Sequence, residues 1–492
     1  MKRLQRRVGF AHFFYMMSVF VAVSLSAKMA AAGDLGEAAR LARQYLETTD
    51  SREKAELSRE LAKYDRDWKD VIEALRPRPD QTVKPGYYKE EHFTQPKLHK
   101  KHPDDLLYFV VPTGYRPDRP SGLVVFMHGG GKGSPRTAPD RYMRAADPET
   151  PLTSSRLGDL FEAVGMVGVG PSAPWDEHDN SRWCLPEADD YLADVIQECK
   201  ARFRIDPDRV FLWGHSMGGF GAYHQVQRQP DRFAAVIGSA GAWALAYWPV
   251  IRGTKFCIVH GVTDATRGVR GRDTDIAYGR WADRLLSEKS IAHVFKEHPE
   301  GHPIGYGKQH ILEFLEASRD LRRDPFFPHV VLASPVGWVT AKCYPVRHNR
   351  WVTLDATREG DLEYDAVRGN GKSGSKDCPM EQWNQWELRH KKVKRNGASV
   401  EAINRGANRV EVTTTNVSRF TLWLHPKMVD FGKPIRIALN GKPRFNRRVS
   451  ASLATLLDSF ERRGDWGLVY PAKITLDVAG EDARANHSDT RE

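Results

Sequence analysis

Cysteine is scarce in this chain, with only five in 492 residues. Five are too few for the disulfide framework of a small secreted domain, and their scattered positions lack the spacing of zinc ligands. We therefore predict no metal site, and nothing in the sequence implies another cofactor. Cys257 lies in an apolar, strand-like run and is expected to be a small buried side chain. If the protein is exported, Cys343 and Cys378 are candidates for a disulfide bridge.

Internal repeats and biased segments are lacking as well. No repeat of roughly 40–50 residues is found, so the sequence does not predict a β-propeller. The composition is 40% hydrophobic, 10% aromatic and 28% charged, which excludes collagen-like, globally disordered and multi-span membrane proteins. At roughly 100–200 residues per domain, the length predicts two to four domains.

Acidic side chains are absent from residues 1–32, which carry five basic ones: Lys2, Arg3, Arg6, Arg7 and Lys28. An apolar run and the small residues 30–32 follow, so this segment predicts a signal peptide cleaved near Ala32 and a secreted or periplasmic protein. An uncleaved membrane anchor is the alternative, because the run from Val8 to Ala27 is long enough to span a bilayer. Removing these five charges lowers the net charge from +11 to +6. We expect no nucleic-acid partner for an exported protein with this small excess.

Hydrophobic periodicity divides the remaining chain into four segments. Residues 33–80 carry apolar side chains three and four positions apart, which predicts a helical hairpin. Residues 85–322 alternate apolar strand-like runs with helical segments, which predicts an α/β fold with a doubly wound, mostly parallel sheet. Short alternating strands and the hairpin turn Asn440-Gly441 predict an antiparallel all-β domain over residues 326–480. The polar residues 481–492 are predicted to be a disordered tail.

One motif in the α/β segment indicates nucleophilic catalysis. The strand-like run 210–213 leads into Gly214-His215-Ser216-Met217-Gly218, and a helical pattern follows. Gly-x-Ser-x-Gly between a strand and a helix is the nucleophile elbow, a strained turn that lifts the serine hydroxyl above the edge of the sheet. We predict Ser216 as the nucleophile.

A serine nucleophile requires a base, and the base requires an orienting acid. Asp264 follows a strand-like run that ends at His260, so we predict Asp264 as the acid. Asp273 and Asp275 remain alternatives that are better explained by capping of the next helix. His302, between Gly301 and Pro303 in a turn before a helix, is the predicted base. His298 and His310 are its alternatives.

Acyl transfer also requires backbone donors for the developing oxyanion. The strand-like run 123–127 continues into His128-Gly129-Gly130-Gly131, a turn in which main-chain N–H groups can approach a substrate oxygen. We predict Gly129 and Gly130 as oxyanion donors, together with the amide of Met217 after the nucleophile.

These segments resemble the α/β-hydrolase superfamily, and most closely its secreted bacterial esterases and predicted peptidases of the polyhydroxybutyrate-depolymerase, feruloyl-esterase and prolyl-oligopeptidase-like kind. The resemblance extends over residues 100–320 and rests on the segment 205–221, the glycine turn, Asp264 and His302. It implies Ser216 as nucleophile, His302 as general base and acid and Asp264 as its orienter. It also implies Gly129, Gly130 and Met217 as oxyanion donors. The chain departs from the family by a long insertion over 132–158 and by the appended β domain.

The sequence therefore predicts a secreted serine hydrolase that cleaves carboxylic esters of a small molecule or polysaccharide. A serine peptidase is the alternative enzyme, and a carbohydrate- or surface-binding protein is the alternative without catalysis. Trp175, Trp183 and Trp243 lie in predicted loops at the catalytic edge and are candidates for an aromatic pocket wall, although loop tryptophans as often serve packing. The basic cluster 389–395 could contact an acidic polymer or form a solvated turn. The sequence does not indicate the oligomeric state.

Overall fold

The computed structural model describes residues 35–65, 68–77, 79–130, 134–145, 154–173, 182–264, 274–337, 344–369 and 388–479. The predicted signal peptide, Trp175, Gly131, Asp273, the Cys343 and Cys378 pair and the C-terminal tail lie outside these ranges. The chain divides into two compact units, residues 1–76 with 450–472 and residues 77–449 with 473–492. None of the helices in the described ranges combines the length and the apolar character needed to cross a bilayer.

The smaller unit is a set of packed amphipathic helices. Its helices are α1 (35–47), α2 (Ser51–Leu61), α3 (Trp68–Leu75) and α11 (Leu453–Arg463), and a 3₁₀ turn (Ala62–Tyr64) follows α2. Asp50 caps α2 by accepting a hydrogen bond from the Arg52 amide at 2.7 Å. The core is apolar and includes Leu41, Leu61, Ile72 and Leu457.

The predicted boundary of the β domain is wrong in one interval. Residues 450–472 belong to the helical unit, although the sequence prediction placed them in an antiparallel β domain. Helix α11 carries Leu453, Leu456 and Leu457 on one buried face and ends at Gly464 in the left-handed conformation. The helical spacing of α11 lies between two segments with strand periodicity. The apolar face of α11 is buried against helices from the other end of the chain.

The larger unit begins with an eight-stranded sheet that confirms the predicted mostly parallel α/β fold. The strand order is β1-β2-β4-β3-β5-β6-β8-β9. The first two pairs, β1 with β2 and β2 with β4, are antiparallel, and the remaining five neighbouring pairs are parallel. Its strands are β1 (Gly86–Glu91), β2 (Leu107–Val111), β3 (Ser121–Met127), β4 (Val167–Pro171), β5 (Ile205–His215), β6 (Ala235–Ser239), β8 (Lys255–Gly261) and β9 (His293–His298).

Helices accompany the sheet, as the alternating pattern predicted. They are α4 (Pro96–Lys101), α5 (Asp140–Met143), α6 (Gly158–Val164), α7 (Pro186–Arg202), α8 (Met217–Arg228), α9 (Ala277–Glu288) and α10 (Ile304–Ala317). The strands β2, β4 and β6 are buried along their whole length. Because both faces are covered, these strands are continuous apolar runs without alternation.

The β part of the larger unit forms three smaller sheets with the orders β10-β15-β16-β18-β19, β11-β12-β17-β20 and β14-β13-β7. Asn440 and Gly441 join β18 to β19, both with positive φ, as the predicted hairpin turn requires. One pair, β16 with β18, is parallel. The strands are β7 (Leu245–Ala246), β10 (His329–Ser334), β11 (His348–Asn349), β12 (Val352–Thr357), β13 (Asp361–Gly369), β14 (Leu388–Asn396), β15 (Ala398–Asn404), β16 (Arg409–Thr415), β17 (Val417–Leu424), β18 (Ile435–Leu439), β19 (Lys442–Arg447) and β20 (Ala472–Asp477).

Candidate active site

Ser216 occupies a strained turn between the end of β5 and the start of α8. Its backbone has φ 57° and ψ −116°, a combination that a residue with a side chain rarely adopts. The Ser216 amide donates a hydrogen bond to the Ser239 carbonyl at 3.0 Å, which holds the turn against β6. A Cβ at Gly218 would overlap the Met127 carbonyl, so the glycine of the motif is required by the close approach of two backbones. The turn has the geometry of a nucleophile elbow.

Three side chains form a hydrogen-bonded chain at this turn. His302 Nε2 lies 2.8 Å from Ser216 Oγ. His302 Nδ1 lies 3.0 Å from each carboxylate oxygen of Asp264. Because a carboxylate only accepts, Nδ1 carries the proton, and Nε2 is left as the acceptor for the serine hydroxyl. This is the arrangement in which a histidine can remove the proton of a serine during attack.

The sheet topology brings these three residues together from distant parts of the chain. Asp264 follows β8 and is buried, whereas His302 lies between β9 and α10 with its side chain 34% exposed. Parallel strands place their carboxyl ends at one edge of the sheet, and the loops after β5, β8 and β9 meet there. A substrate can therefore reach Ser216 and His302, while the acid stays shielded from water.

The alternative acids and bases have other partners. The Asp275 carboxylate accepts a hydrogen bond from the Ala277 amide at 2.9 Å at the start of α9, the capping role considered from the sequence. His298 is buried beside Glu300 at 3.3 Å, and His310 lies 3.7 Å from Glu313. The described contacts thus join Asp264 and His302 to Ser216.

Two residues that the sequence analysis missed hold Asp264 in place. Thr274 Oγ1 donates to Asp264 Oδ1 at 2.9 Å. His260 Nε2 lies 2.6 Å from the Thr274 carbonyl oxygen and 3.5 Å from Asp264 Oδ2. Burial is the main cause that lowers the pKa of His260, so this ring is neutral and donates from Nε2. The sequence indicates His260 by its position at the end of a predicted strand. No sequence pattern indicates Thr274, which lies ten residues beyond Asp264.

His215, the variable residue of the motif, also borders the base. Its ring centroid lies 5.2 Å from that of His302, and its Nδ1 lies 3.1 Å from Ser239 Oγ. Burial, and next the charge of His302, lower the pKa of His215 well below its usual value. Because His215 stays neutral, His302 can gain a proton beside it without facing a second positive charge.

The predicted oxyanion residues flank the nucleophile. A Cβ at Gly129 would lie 3.1 Å from Ser216 Cβ, so the backbone after β3 passes directly beside the serine side chain. Met217 is the first residue of α8, and amides in the first turn of a helix have no intrahelical partner. Gly130 has φ 143° and is exposed at the same turn. Gly129 and Met217 thus adjoin Ser216, which is the position that an oxyanion donor must occupy.

The glycine turn is fixed by His128 and Trp183. His128 Nδ1 donates to the Gly129 carbonyl at 2.9 Å, and Trp183 Nε1 donates to the His128 carbonyl at 3.1 Å. Burial lowers the pKa of His128 to about 4, so the ring is neutral at physiological pH. Both contacts restrict the orientation of the backbone amides that follow.

Two of the three tryptophans predicted to line the substrate pocket are buried and cannot form its wall. Trp183 is completely buried and packs on His128, and Trp243 is 1% exposed, with its Nε1 donating to the Tyr278 carbonyl at 3.0 Å. Their indoles are part of the packing beneath the catalytic loops, because each has its N–H satisfied by a backbone carbonyl inside the protein. The third, Trp175, lies outside the described residues.

An open cleft of about 580 Å³ lies beside the glycine turn. Among the residues that the structure describes, its charged lining has four basic and two acidic side chains: Lys89, Arg141, Arg144, Arg156, Glu90 and Asp140. Gly129 and Gly130 both belong to its lining, and a Cβ at Gly129 would lie 3.1 Å from Ser216 Cβ. Elsewhere in the described ranges, no three His, Cys, Asp or Glu side chains come together as metal ligands.

Comparison with known proteins connects this site to serine hydrolases. Residues 158–264 match the family model of serine aminopeptidase, S33. A bifunctional acetylxylan esterase/xylanase of Neocallimastix patriciarum is 24% identical over 160 residues, which are 32% of this chain and 21% of that protein. The chain thus spans about a fifth of the length of this curated relative.

Two esterases are among the solved structures that match this chain. A feruloyl esterase module from Clostridium thermocellum, solved with sinapinate, is 16% identical, with a TM-score of 0.35, and the match covers 49% of this chain and 92% of that one. A thermostable esterase is 18% identical, with a TM-score of 0.35, and the match covers 46% of this chain and 62% of that one.

The sheet order, the elbow after β5 and the acid and histidine after β8 and β9 define an α/β-hydrolase fold. The matched family model describes a serine aminopeptidase, and the curated relative is an acetylxylan esterase/xylanase, so both matches are to hydrolases.

Proposed function

We propose that the protein hydrolyses carboxylic esters through an acyl-enzyme on Ser216. The observation that carries this proposal is the chain of short contacts from Ser216 Oγ to His302 and from His302 to Asp264. In the first step, Ser216 Oγ attacks the ester carbonyl carbon while His302 Nε2 takes its proton. The negative charge that develops on the carbonyl oxygen is stabilised by the amides of Gly129, Gly130 and Met217.

Collapse of this tetrahedral adduct breaks the bond to the alcohol, and His302 returns its proton to the leaving oxygen. A water molecule then attacks the acyl carbon, His302 removes its proton, and the acid leaves as Ser216 regains its hydrogen. Asp264 keeps the imidazole in the required tautomer and stabilises its charged form in both halves of the reaction. No step requires a metal ion or an organic cofactor.

A fluorophosphonate probe tests this mechanism directly, because it reacts only with an activated serine. Wild type should be labelled and should release the alcohol from a short-chain nitrophenyl ester. Ser216→Ala should abolish both reactions, and His302→Ala should lower turnover by about 10³-fold or more while folding is preserved. Ser287→Ala, which removes an exposed hydroxyl on α9, is the matched control and should leave labelling unchanged. Absence of labelling in the wild type would rule out the serine-hydrolase mechanism.

A peptidase is the second candidate, because the matched family model describes serine aminopeptidases. Aminopeptidase action requires a group that holds the positively charged α-amine of the substrate. In the cleft beside the glycine turn, Asp140 is paired with Arg144 and Glu90 with Lys89 at 3.0 Å. We therefore propose esters as the preferred substrates, either of small molecules or of acylated polysaccharides such as the acetylxylan named for the curated relative. A parallel screen of acetyl, feruloyl and aminoacyl-anilide substrates decides between the two.

We further propose that residues 1–32 direct export and are removed near Ala32. Support comes from the basic, apolar and small-residue order of the segment. Expression of the full chain in a bacterial host should give a periplasmic or secreted protein with a new N-terminus close to residue 33. Recovery of the intact chain in the membrane fraction would identify an anchor, and recovery of the intact chain in the cytosol would contradict export.

A further inference from the structure

We propose that Arg141 and Arg156 bind an anionic group of the substrate, so that the enzyme prefers esters that carry a carboxylate near the scissile bond. This inference rests on the proposed esterase function and names its substrate class. It would apply either to a dicarboxylic half-ester or to an acylated acidic sugar, since both present a carboxylate within a few bonds of the ester.

The first observation that supports this proposal is the balance of positive and negative side chains in the cleft. Both acidic side chains in its lining are already paired: Asp140 with Arg144, and Glu90 with Lys89 at 3.0 Å. Asp140 also accepts a hydrogen bond from Tyr87 Oη at 2.6 Å, which occupies one of its oxygens further. Arg141 and Arg156 are exposed and have no carboxylate partner among the described residues. Within the described part of the cleft lining, these two guanidinium groups are therefore not neutralised by a carboxylate.

The second observation is the position of the cleft beside the nucleophile. Gly129 lines the cleft, and a Cβ at Gly129 would lie 3.1 Å from Ser216 Cβ and 3.3 Å from Tyr142 Oη. The Arg141 guanidinium carbon lies 4.8 Å from the centroid of the Tyr142 ring. The Tyr142 side chain and the Gly129 backbone therefore connect this positive charge to the nucleophile through successive contacts.

The electrostatic effect on the site agrees with this placement. After burial and the neighbouring histidines, the charge of Arg141 is a further cause that lowers the pKa of His215, the ring beside His302. Burial is also the main cause at His128, where Arg141 again contributes to the lower pKa. A positive charge that is felt at His215 is also felt by an anion bound at Ser216.

Arg156 is attached to the catalytic loops by its backbone. Its carbonyl accepts a hydrogen bond at 2.9 Å from Lys308 Nζ, a largely buried ammonium on α10, the helix that follows His302. This contact fixes the main chain at Arg156 relative to the base. Guanidinium groups bind carboxylates through two parallel N–H donors, which gives orientation as well as attraction.

Matched pairs of esters test the proposal. The first pair is 4-nitrophenyl hydrogen glutarate and its neutral methyl ester, which place the charge on the acyl side. The second pair is acetylated glucuronic acid and acetylated glucose, which place it on the alcohol side. We expect wild type to favour the charged member of at least one pair by tenfold or more in kcat/KM, mainly through KM, and to lose this preference as ionic strength rises.

The double variant Arg141→Gln/Arg156→Gln should lose the preference, because its kcat/KM on each charged ester falls to that on the neutral partner. Arg119→Gln, an exposed arginine of the same unit outside the cleft, is the matched control and should keep the preference. Equal rates on charged and neutral esters in wild type, or a preference that survives the double variant, would overturn the inference while leaving the esterase function intact. Failure of the wild type to react with both fluorophosphonate and the neutral esters would instead overturn the proposed function.

Discussion

At the scale of single residues, the site depends on side chains that never contact the substrate. Asp264 can orient His302 only if its carboxylate is itself fixed, and Thr274 Oγ1 provides a donor at 2.9 Å. A hydrogen bond to a charged group contributes about 1.5–3 kcal/mol. Thr274 is therefore a positioning residue whose hydroxyl, and not its volume, is required.

Thr274→Val should lower kcat by about 10-fold or more, because it keeps the side-chain shape and removes that donor. KM should change little, since the hydroxyl acts through Asp264. Thr274→Ser, which restores the donor, should recover most of the activity, whereas a purely steric role would be preserved in Thr274→Val and disturbed in Thr274→Ser. Thr413→Val on an exposed strand position is the control. Steady-state kinetics on a neutral nitrophenyl ester measures all four proteins.

At the scale of elements, β5, Ser216 and α8 form one strained unit. The positive φ of Ser216 is tolerated because its amide is bonded to β6 and because glycines allow β3 and α8 to approach the turn. A strained turn of this kind is maintained by the surrounding packing, so its geometry is sensitive to one added methyl group.

Gly218→Ala should therefore disrupt the elbow. Its new Cβ would overlap the Met127 carbonyl, a backbone atom of β3 that has little freedom to move. We expect fluorophosphonate labelling to slow by about 100-fold and the free energy of unfolding to fall by about 1–3 kcal/mol. Gly114→Ala, where nothing lies within 4 Å of the added atom, should behave as wild type. A Gly218→Ala protein with normal labelling and stability would contradict the elbow geometry.

At the scale of the whole molecule, the hydrolase and β parts of the larger unit share backbone hydrogen bonds. Strand β7, which follows the elbow helix and β6, pairs with β13 through Ala246 and Asp365. Arg228 of α8 donates to the Tyr344 carbonyl at 2.7 Å. His224, one turn earlier, contacts the Gly337 carbonyl at 2.5 Å through Nδ1. The β part is thus joined to the hydrolase part by hydrogen bonds, although its strands form sheets separate from the eight-stranded one.

Acid should unfold this unit through its buried histidines. Burial lowers the pKa values of His128 and His224 to about 4, from 6.5 in an exposed ring. Between these two pKa values, the unfolded chain binds protons that the folded chain does not bind. The free energy of unfolding therefore decreases as pH falls from about 6.5 toward 4. For a fully buried ring, the loss is on the order of 3 kcal/mol.

Thermal unfolding between pH 7.5 and 4 measures this effect. The midpoint temperature of unfolding should decrease as pH is lowered in wild type. It should decrease less steeply in His224→Gln, because the glutamine side chain does not titrate. His99→Gln, at an exposed position, should follow the wild-type curve. A midpoint in His224→Gln with the full wild-type dependence on pH would show that His224 does not contribute.

The sequence by itself determined the parallel sheet, the serine turn and the residues that the fold brings to it. Continuous apolar strands, a Gly-x-Ser-x-Gly turn between a strand and a helix, and a chain order of Ser216, Asp264 and His302 are local patterns, and local periodicity is preserved in the linear chain. Their meeting follows from a general property of parallel sheets, whose strands end at one edge.

Only the tertiary structure decided what surrounds those residues. The tertiary structure shows the support of Asp264 by Thr274, the burial of Trp183 and Trp243 and the place of α11 among the N-terminal helices. It also shows that Arg141 and Arg156 have no carboxylate partner among the described residues. Such contacts depend on which side chains fill the remaining space and which charges find partners. These outcomes are set by packing and electrostatics in three dimensions, and the one-dimensional pattern contains neither.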